Sequence, residues 1–374
     1  MKVAFISLMK VLPWGGSEEL WYKVAKLAVE HGHSVTSITR KWPATPSRIT
    51  ELQQLGVDTK FYFDLTYSIA DRISIKLGFK KWQAERVPVV EADIYVISNG
   101  SVFDFIYNKQ TIQHLLTSGK PYVMISQHNS ESGNIVPDFF RNYAIETIQK
   151  AKAVFFVAAR NMEAAERQLP LRLSNALVTS NPLNIKTISI KPYPQSDQLL
   201  MACVARFDCA YKGQDILLQV LSADVWRSRA FHLNLYGAGP HLEYLKQLIV
   251  HYKLSNKVSI VGHVDNIDEL WENNQVLVLP SLSEGTPLAL VEAMLSGRAV
   301  VSTDVGGNAT YILDRKTGFL ADVASVKCIA TALENLWQEK ERLAEIGVNA
   351  YNQALAITDI NPDKTVLTFI ENIV

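Results

Sequence analysis

The sequence predicts an α/β protein built from two doubly wound, Rossmann-like domains, each with a parallel sheet. Short apolar segments with strand character alternate with amphipathic helical segments along almost the whole chain of 374 residues. The alternation is interrupted once, at residues 181–197, and then starts again. Hydrophobic residues make up 48% of the sequence, which is enough to fill two cores of ordinary size. We therefore predict a first domain over residues 1–180 and a second over residues 198–357.

The strands of the first domain are predicted from short runs of apolar, often β-branched or aromatic residues between helical segments. Seven such runs occur, at residues 3–7, 35–39, 59–63, 94–98, 122–126, 154–157 and 177–179. After the first run, residues 20–28 place apolar side chains at the spacing of one helical face. The segment His31-Gly32-His33 ends that helix, so we interpret both histidines as structural.

Residues 181–197 contain three prolines and no helical periodicity, which indicates a connection between the two domains. The second domain then offers six apolar runs, at residues 199–205, 232–236, 257–261, 276–279, 299–302 and 318–320. Helices are predicted at residues 325–337, 340–355 and 362–373. Ligands of doubly wound sheets bind beyond the carboxyl ends of the strands, so we expect the functional site in a cleft between the domains.

Composition and charge exclude some classes of function. Lys and Arg number 37 and Asp and Glu number 37, so the formal net charge is zero and nothing attracts nucleic acid globally. The first 180 residues carry 21 Lys and Arg against 16 Asp and Glu, and the remainder carries 16 against 21, which is compatible with different partners for the two halves. The three cysteines have neither disulfide nor metal spacing, and the first residues predict a strand rather than a signal peptide. This cysteine usage suits a reducing compartment, and no apolar run is long enough to span a bilayer, so we expect a cytoplasmic protein, with or without peripheral contact at the inner membrane face.

The segment SEGTPLALVE is the most informative part of the chain. It places Glu284 and Glu292 eight residues apart, after an apolar strand and a Pro-Ser turn. Glu292 falls inside the helix that follows, among apolar residues, where a carboxylate must be solvated or paired. Sugar hydroxyls are natural partners for such carboxylates, so the pair indicates a sugar-binding site.

The start of the same helix predicts an anion site. Pro287 suits the first turn of a helix, because its missing N–H costs nothing there. The N–H groups of Gly285, Thr286 and Leu288 would then be unpaired at a helix N-terminus, where phosphate binds readily. One short segment thus offers phosphate donors and hydroxyl acceptors, the combination that a nucleotide sugar requires.

A second group of charges follows the strand predicted at residues 199–205. Arg206 lies in the turn after this strand, and Lys212-Gly213 is expected to open the next helix. Arginine supplies a planar fork of donors and lysine a mobile point charge, and both suit a pyrophosphate. Cations at the start of a helix oppose its dipole, so a bound anion would explain their presence.

These motifs together resemble those of retaining glycosyltransferases of family 4, the group 1 enzymes with the GT-B architecture. The glutamate pair is similar to their E-x7-E signature, and the segment around Arg206 and Lys212 to their arginine–lysine motif, with Ala205 where glycine is usual. The resemblance extends over nearly the whole chain. It implies the GT-B fold, retention of anomeric configuration and a C-terminal tail, residues 358–374, that crosses back to pack on the first domain.

The resemblance also gives roles to three glycine turns. Gly15 and Gly16 follow the first strand, where the family's loop closes on the distal phosphate of the donor. Gly237 begins a G-x-G turn that resembles the family turn bordering the base or ribose, and the third glycine of a dinucleotide fingerprint is absent. Gly262 lies in a turn similar to one near the base. Trp14, beside the first turn, is expected either to line the acceptor site or to pack against the loop.

His128 is a candidate site residue, because it ends a predicted strand and stands in a polar loop. The resembled family carries a histidine at this place, in contact with the transferred sugar. The next residue here is Asn129, whereas many relatives have aspartate, so the hydrogen-bonding partner of the histidine differs.

The resemblance implies that cations and backbone amides stabilise the departing diphosphate. Arg206 and Lys212 would carry the positive charge, and backbone amides from Gly285 to Leu288, with Gly16, would complete the cradle. The sequence has no Asp-x-Asp pair of the kind that holds a diphosphate through a metal. We therefore expect neither a metal nor another cofactor.

The resemblance assigns the sugar and the ribose to three other side chains. Glu292 would accept the ribose hydroxyls. Glu284 would hold a sugar hydroxyl near the developing oxocarbenium, and His128 would orient the sugar.

The sequence therefore predicts a glycosyltransferase that moves a sugar from a nucleotide diphosphate donor of UDP or GDP type to a glycan or lipid-linked acceptor. Polysaccharide biosynthesis is the family-level expectation. Two alternatives stay open: a non-hydrolysing nucleotide-sugar epimerase of the same architecture, and a catalytically silent relative that binds sugar nucleotides.

The segment from Ser68 to Arg86 is basic and partly amphipathic. It carries five cations against two anions. One interpretation is a patch for peripheral contact with the inner membrane face or for an anionic acceptor. The other is a solvated helix face beside the core, which we favour because Gly78 interrupts the helix.

Overall fold

The computed structural model describes residues 1–10, 12–63, 87–131 and 135–374, and it divides into two compact units. Unit 1 comprises Met1–Pro182 and Asn361–Val374, and unit 2 comprises Leu183–Ile360. The basic segment from Ser68 to Arg86 lies outside the described residues. Within the described ranges, no helix combines the length and the apolar character needed to cross a membrane.

Unit 1 is built on a parallel sheet, which has seven strands in the described part of the chain. They are β1 Lys2–Ser7, β2 Ser34–Arg40, β3 Asp58–Tyr62, β4 Ile94–Ser101, β5 Tyr122–His128, β6 Ala153–Phe156 and β7 Ala176–Val178. The spatial order is β3-β2-β1-β4-β5-β6-β7, so the chain winds outward in both directions from the β1–β4 pair. Such a switch point is where ligands of open α/β sheets bind.

Helices cover both faces of this sheet because its strands are apolar on both sides. Ala4 and Ile6 belong to one buried cluster and Val3 and Phe5 to another, as the two-residue period of a strand requires. The helices that precede unit 2 in the described chain are α1 Gly16–Glu30, α2 Ser47–Gln54, α3 Lys109–Ser118, α4 Asp138–Lys150 and α5 Ala159–Gln168.

Unit 2 repeats the design with a parallel sheet of six strands in the order β10-β9-β8-β11-β12-β13, all of them among the described residues. The strands are β8 Leu199–Val204, β9 Phe231–Tyr236, β10 Val258–Gly262, β11 Val276–Leu279, β12 Ala299–Thr303 and β13 Gly318–Ala321. The helices are α6 Cys209–Lys212, α7 Gln214–Leu221, α8 Asp224–Ser228, α9 Leu242–His251, α10 Ile267–Glu272, α11 Leu288–Leu295, α12 Asn308–Tyr311, α13 Val326–Gln338 and α14 Leu343–Ile357.

The predicted α/β class with two parallel sheets is confirmed, and each predicted strand is present. Most strand ends differ from the prediction by one or two residues, but β4 runs three residues further, to Ser101. Its last residues are polar, yet Ser101 still pairs in register with His128 of β5. The helix predicted at residues 340–355 begins instead as a 3-10 turn at Lys340–Arg342, and α14 follows it.

The segment predicted as a connection, residues 181–197, lies mostly on unit 2. Lys191 is buried and its ammonium pairs with the carboxylate of Asp268. Its carbonyl, with that of Pro192, accepts hydrogen bonds from the buried guanidinium of Arg298. Burial lowers the pKa of Arg298 to about 10, which still leaves it charged at neutral pH. These contacts hold the extended segment against the unit without any helix or strand.

The last helix, α15 Pro362–Ile373, belongs to unit 1 and packs against α1. Its buried side chains share a cluster with those of α1, and the rings of Phe369 and Phe155 meet edge to face with centroids 5.4 Å apart. At its end, Glu371 Oε1 lies 2.9 Å from His31 Nδ1 and 2.8 Å from His33 Nε2. Hydrogen bonds from His33 and His31 hold the pKa of Glu371 below its usual range. His31 and His33 thus hold the end of α15 next to the end of α1.

Replacing Gly347 with alanine should destabilise the protein, although alanine favours a helix interior by about 1 kcal/mol. Gly347 lies in α14, and a Cβ there would sit 2.1 Å from the carbonyl oxygen of Gly297. Relieving that overlap should cost about 1–3 kcal/mol, measured as a lower midpoint of urea unfolding. The control is Val348→Ala, at an exposed neighbouring position, with an expected change of about 0.5 kcal/mol or less. A Gly347→Ala variant at least as stable as the parent would contradict the close approach.

Candidate active site

The loop that carries Glu284 spans residues 280–287, after β11, and is held by backbone groups of neighbouring segments. The N–H of Leu282 donates to the carbonyl of Tyr211 at 2.8 Å. The N–H of Gly307 donates to the carbonyl of Gly285 at 2.6 Å. The position of the loop is therefore set at the carboxyl ends of several parallel strands.

Two glycines permit this arrangement because a side chain at either would collide with the loop. Gly213 has a φ of 62°, and a Cβ there would lie 2.2 Å from the carbonyl oxygen of Pro280. Gly306 has a φ of 55°, and its Cβ would lie 2.4 Å from the carbonyl oxygen of Glu284. Both positions need the left-handed backbone that glycine adopts freely.

The structure brings Lys212 and Glu284 together. The Lys212 ammonium lies 2.6 Å from Glu284 Oε1, and the Ser281 hydroxyl donates to the same oxygen at 2.7 Å. The exposed fraction is 8% for the Glu284 side chain and 21% for that of Lys212, so the pair is only partly accessible to water. Two residues that the sequence motifs place 72 positions apart thus form one polar cluster.

Lys212 does not open a helix, contrary to the prediction. It is the last residue of the short helix α6, and the left-handed Gly213 separates it from α7. A helix cannot continue through a left-handed residue, so the expected helix begins only at Gln214, and Lys212 ends a short helix that was not predicted. Lys212 therefore does not oppose a helix dipole at an N-terminus, and its partner is the carboxylate of Glu284.

Arg206 also has an acidic partner that the sequence analysis did not identify. Its guanidinium pairs with the carboxylate of Asp208, which is buried. The carbonyl of Arg206 accepts a hydrogen bond of 2.8 Å from the side-chain amide of Gln214, and this bond fixes the turn. The Arg-x-Asp spacing in the sequence could have suggested the pair, because residues two apart can meet across a tight turn.

Glu292 is buried within unit 2, with an exposed fraction of 3%. Its Oε1 accepts hydrogen bonds from the backbone N–H of Asn184 at 2.8 Å and from its side-chain amide at 3.1 Å. Asn184 thus supplies part of the pairing that a buried carboxylate at this position was expected to need. Asn184 stands 108 residues earlier in the chain, so no sequence pattern could have identified it.

The helix after the loop begins one residue later than predicted. Leu288 is the first residue of α11, and Pro287 is the N-cap, with an extended ψ of 126°. The carbonyl of Pro287 accepts the N–H of Leu290, as an N-cap residue does. Among the described residues, the N–H groups of Gly285 and Leu288 have no hydrogen-bond partner. They are available to an anion, whereas Thr286 has contacts of its own.

The glycine turns assigned to the nucleotide lie side by side in unit 2. Gly237 follows β9, and its N–H donates to the carbonyl of Gly262 at the end of β10, at 2.8 Å. The neighbouring Ala238 accepts the N–H of Phe207 at 3.0 Å, which joins the Gly237 turn to the turn that carries Arg206. These turns form one edge of the sheet's carboxyl end.

His128 lies in unit 1, where it is the last residue of β5 and is half-buried. Its carbonyl accepts the N–H of Val102 at 3.1 Å. The next residue, Asn129, is buried and donates to the side-chain carbonyl of Gln168 at 2.9 Å. Asn129 therefore has a structural role within the unit.

The first glycine turn also lies in unit 1, with Gly15 as the N-cap of α1 and Gly16 as its first residue. Trp14 packs against this loop, in agreement with one of the two alternatives for this residue. Its indole N–H donates to Glu19 Oε1 at 2.7 Å, and its ring meets that of Tyr22 edge to face with centroids 5.9 Å apart. These contacts fix the orientation of the indole.

Cys203 lies beneath the polar cluster of unit 2 and is fully buried. Burial raises the pKa of its thiol to about 12, against a smaller opposing effect of the nearby Lys212. The thiol is therefore neutral at physiological pH and unsuited to nucleophilic attack.

Comparison with known proteins identifies the class of the second unit. Residues 198–339 match the model of the family described as group 1 glycosyl transferases. This range contains Arg206, Lys212, Glu284 and Glu292, and all the strands of unit 2.

Relatives of similar length extend the likeness to the whole chain. A glycosyltransferase of Haemophilus influenzae, itself uncharacterized, is 21% identical over 348 residues and covers 91% of each chain. Another, from Methanocaldococcus jannaschii, is 26% identical over 277 residues, which are 73% of this chain and 72% of the relative. The crystal structure of HepE from Anabaena in complex with UDP superimposes over 100% of both chains, with a TM-score of 0.73 at 17% identity. This likeness confirms the predicted GT-B fold class.

Removing the charge of Lys212 alone should destabilise the protein more than removing both charges of its pair. In Lys212→Met the Glu284 carboxylate keeps its hydrogen bond from Ser281 but loses its cation. The free energy of unfolding should therefore fall by about 1–3 kcal/mol. In the double variant Lys212→Met/Glu284→Gln no charge is left unpaired, so at least half of that loss should return. Urea unfolding of the parent, both single variants and the double variant measures the coupling. A double variant as unstable as the sum of the singles would show that the two side chains are independent.

Proposed function

Because residues 198–339 match the model of the group 1 glycosyl transferases and relatives along most of the chain are glycosyltransferases, we propose that this chain transfers a sugar from a nucleoside diphosphate sugar to a carbohydrate or lipid-linked acceptor. In this proposal the anomeric configuration is retained and no metal ion takes part. The observation that carries it is the cluster of Lys212, Glu284 and Ser281, with Arg206 in the adjoining segment, at the carboxyl end of the unit 2 sheet. Doubly wound sheets bind their ligands at that end.

The cations of the cluster are suited to stabilise the leaving diphosphate. Arg206 and Lys212 offer charge-assisted hydrogen bonds, and the N–H groups of Gly285 and Leu288 add neutral donors at the start of α11. Without a ligand, each cation is neutralised by a carboxylate. A diphosphate with two or more negative charges competes for these cations, and donors that are already in position need little reorganisation.

The carboxylates are suited to hold hydroxyl groups. Glu292 would accept hydrogen bonds from the ribose, while Asn184 keeps its carboxylate in one orientation. Glu284 would accept a hydroxyl of the transferred sugar once the ammonium of Lys212 turns toward the diphosphate. The turns at Gly237 and Gly262 would border the nucleoside.

Unit 1 would supply the remaining contacts of the proposal. His128 would orient the transferred sugar, and the turn at Gly15 and Gly16 would approach the distal phosphate. We infer UDP or GDP as the nucleotide, and UDP is the first to test because HepE of Anabaena was solved with UDP and with UDP-glucose. We also infer a cytoplasmic location, since all three cysteines are free thiols, as in proteins of reducing compartments.

Glu292→Gln should weaken donor binding, whereas Lys212→Ala should chiefly lower turnover. Loss of hydrogen bonds to a charged carboxylate predicts a rise of about 10- to 100-fold in the dissociation constant for the nucleotide. Loss of a cation that stabilises the leaving group predicts a fall of about 100- to 1000-fold in kcat. Calorimetric titration with UDP and GDP, followed by initial rates of nucleotide release, measures both effects.

The matched control is Glu243→Gln, an exposed glutamate on helix α9 of the same unit, which should change neither quantity. Unchanged affinity and turnover in both site variants would refute the assignment of the site. Isomerisation of the sugar nucleotide in the absence of any acceptor would favour an epimerase instead. Nucleotide binding without transfer to any acceptor of a broad panel would favour a catalytically silent relative.

Turnover should be insensitive to removal of divalent metal. The diphosphate charge is assigned to Arg206, Lys212 and backbone donors, and no step of the proposal uses a cation from solution. Initial rates measured with excess EDTA should equal those with added Mg²⁺ or Mn²⁺. Loss of activity in EDTA that Mn²⁺ restores would contradict this part of the proposal.

A further inference from the structure

Two histidines and a glutamate meet where the first and the last helix of unit 1 end. His31 is the C-cap of α1, His33 directly precedes β2, and Glu371 lies in the last turn of α15. Nδ1 of His31 and Nε2 of His33 lie 2.9 and 2.8 Å from Oε1 of Glu371. Among the described residues, no other group of His, Cys, Asp and Glu side chains brings three possible ligand atoms within 4.8 Å of one another. The three atoms therefore form a candidate metal site.

The backbone from which both imidazoles project is fixed by the end of α1. The N–H of Gly32 donates to the carbonyl of Val29, and the N–H of His33 donates to the carbonyl of Ala28, both at 2.9 Å. This pair of bonds is a Schellman motif, which requires the left-handed φ of 80° that Gly32 adopts. The turn places the rings of His31 and His33 with centroids 6.3 Å apart. Two ligands of one ion can therefore come from neighbouring positions in the sequence.

The spacing of the three atoms suits a transition-metal ion. Zinc binds imidazole nitrogen and carboxylate oxygen at about 2.0–2.2 Å, so two ligand atoms of a tetrahedral site lie about 3.4 Å apart. The two N–O distances are about 0.5 Å shorter than this, a difference that small rotations of the side chains remove. The exposed fractions of His31, His33 and Glu371 are 47%, 17% and 30%, so an ion has access from solvent.

The charges around the cluster favour a cation. Both helices lie wholly within the described ranges and end at the cluster, so the negative ends of their dipoles come together. Neither helix has a lysine or arginine in its last turn, where Glu30 and Glu371 instead add negative charge. The amino group of Met1 lies 3.5 Å from Nδ1 of His33, the other nitrogen of that ring, and so leaves Nε2 to the ion. A metal ion would offset the two dipole ends and the carboxylates.

We propose that Nδ1 of His31, Nε2 of His33 and Oε1 of Glu371 bind one zinc ion, with water as the fourth ligand, and that the ion holds α15 against α1. His33 precedes Ser34, which pairs with Lys2 at the amino end of β1, whereas ligands of such sheets bind at the carboxyl ends of the strands. The ion therefore takes no part in the proposed sugar transfer. Because it binds the folded chain, it stabilises unit 1 by mass action.

The test titrates Zn²⁺ into the full-length chain, prepared without a polyhistidine tag and freed of metal with a chelator. Calorimetry should show a site for one ion per chain. At a zinc concentration about 100-fold above the dissociation constant, the melting temperature should rise by about 5–10 °C. Mg²⁺, which prefers oxygen ligands, should cause no such rise. Co²⁺ in place of Zn²⁺ should give the visible absorption of a four-coordinate site with imidazole ligands.

Glu371→Gln separates metal binding from hydrogen bonding within the cluster. The glutamine keeps an oxygen that accepts an imidazole N–H, so the melting temperature of the metal-free protein should change little. A neutral amide is a poor ligand for zinc, however. Loss of an outer-shell partner already weakens metal sites about 10- to 100-fold, so loss of this ligand should raise the dissociation constant for Zn²⁺ at least about 10-fold.

His33→Gln should raise the dissociation constant for Zn²⁺ by at least as much, because it removes a nitrogen ligand. The matched control is His251→Gln, at an exposed histidine that ends helix α9 of unit 2. This substitution also removes one imidazole from a helix end, but it should leave the zinc affinity and the visible spectrum with Co²⁺ unchanged. If His33→Gln fails to fold, Glu371→Gln decides alone.

The outcomes distinguish this inference from the proposed function. A parent protein whose melting temperature does not respond to Zn²⁺ would overturn the metal site. Equal zinc affinities of the parent, Glu371→Gln and His33→Gln would also overturn it, because the ion would then bind elsewhere on the chain. Failure of UDP and GDP to bind would overturn the proposed function and leave the metal site standing.

Discussion

Contact between backbones, without intervening side chains, is the constraint on which the site of unit 2 depends. The loop that carries Glu284 touches the backbone at Gly213 on one side and at Gly306 on the other. Backbone atoms vary less in position than long side chains do, so the loop has little freedom. Glu284, whose own backbone takes part in this packing, therefore projects from a fixed base. The same packing ends α6 at Lys212, which brings its ammonium to the carboxylate.

The site is balanced in charge before any ligand binds. Arg206 pairs with Asp208 and Lys212 with Glu284, so neither partly buried cation lacks a counter-ion. In the proposed function Glu284 would have two successive roles: it keeps Lys212 in position in the free protein, and it would be released for a sugar hydroxyl when the diphosphate binds the lysine. Such an exchange of partners would let the same side chains stabilise the free protein and bind a charged ligand.

Patterns within one element could be predicted from the sequence, and contacts between distant segments could not. The strands follow from runs of β-branched residues, as in β4, and the helix of Glu292 from the apolar residues around it. That Lys212 and Glu284 approach each other follows from the rule that parallel strands share one ligand-binding edge. The Asn184–Glu292 bond depends on packing between segments 108 residues apart. The break at Gly213 depends on a backbone angle that the residue type permits but does not require.

The helix α15 makes the order of folding differ from the order of synthesis. It completes the core of unit 1, yet the whole of unit 2 lies between it and the rest of that unit in the chain. At about 5–20 residues per second, translation of unit 2 takes on the order of tens of seconds. Throughout that time α1 and Phe155 lack the apolar cover that Val366, Leu367 and Phe369 later supply. Unit 2 can therefore reach its final core first, while the nascent unit 1 still exposes apolar side chains that the last helix will cover.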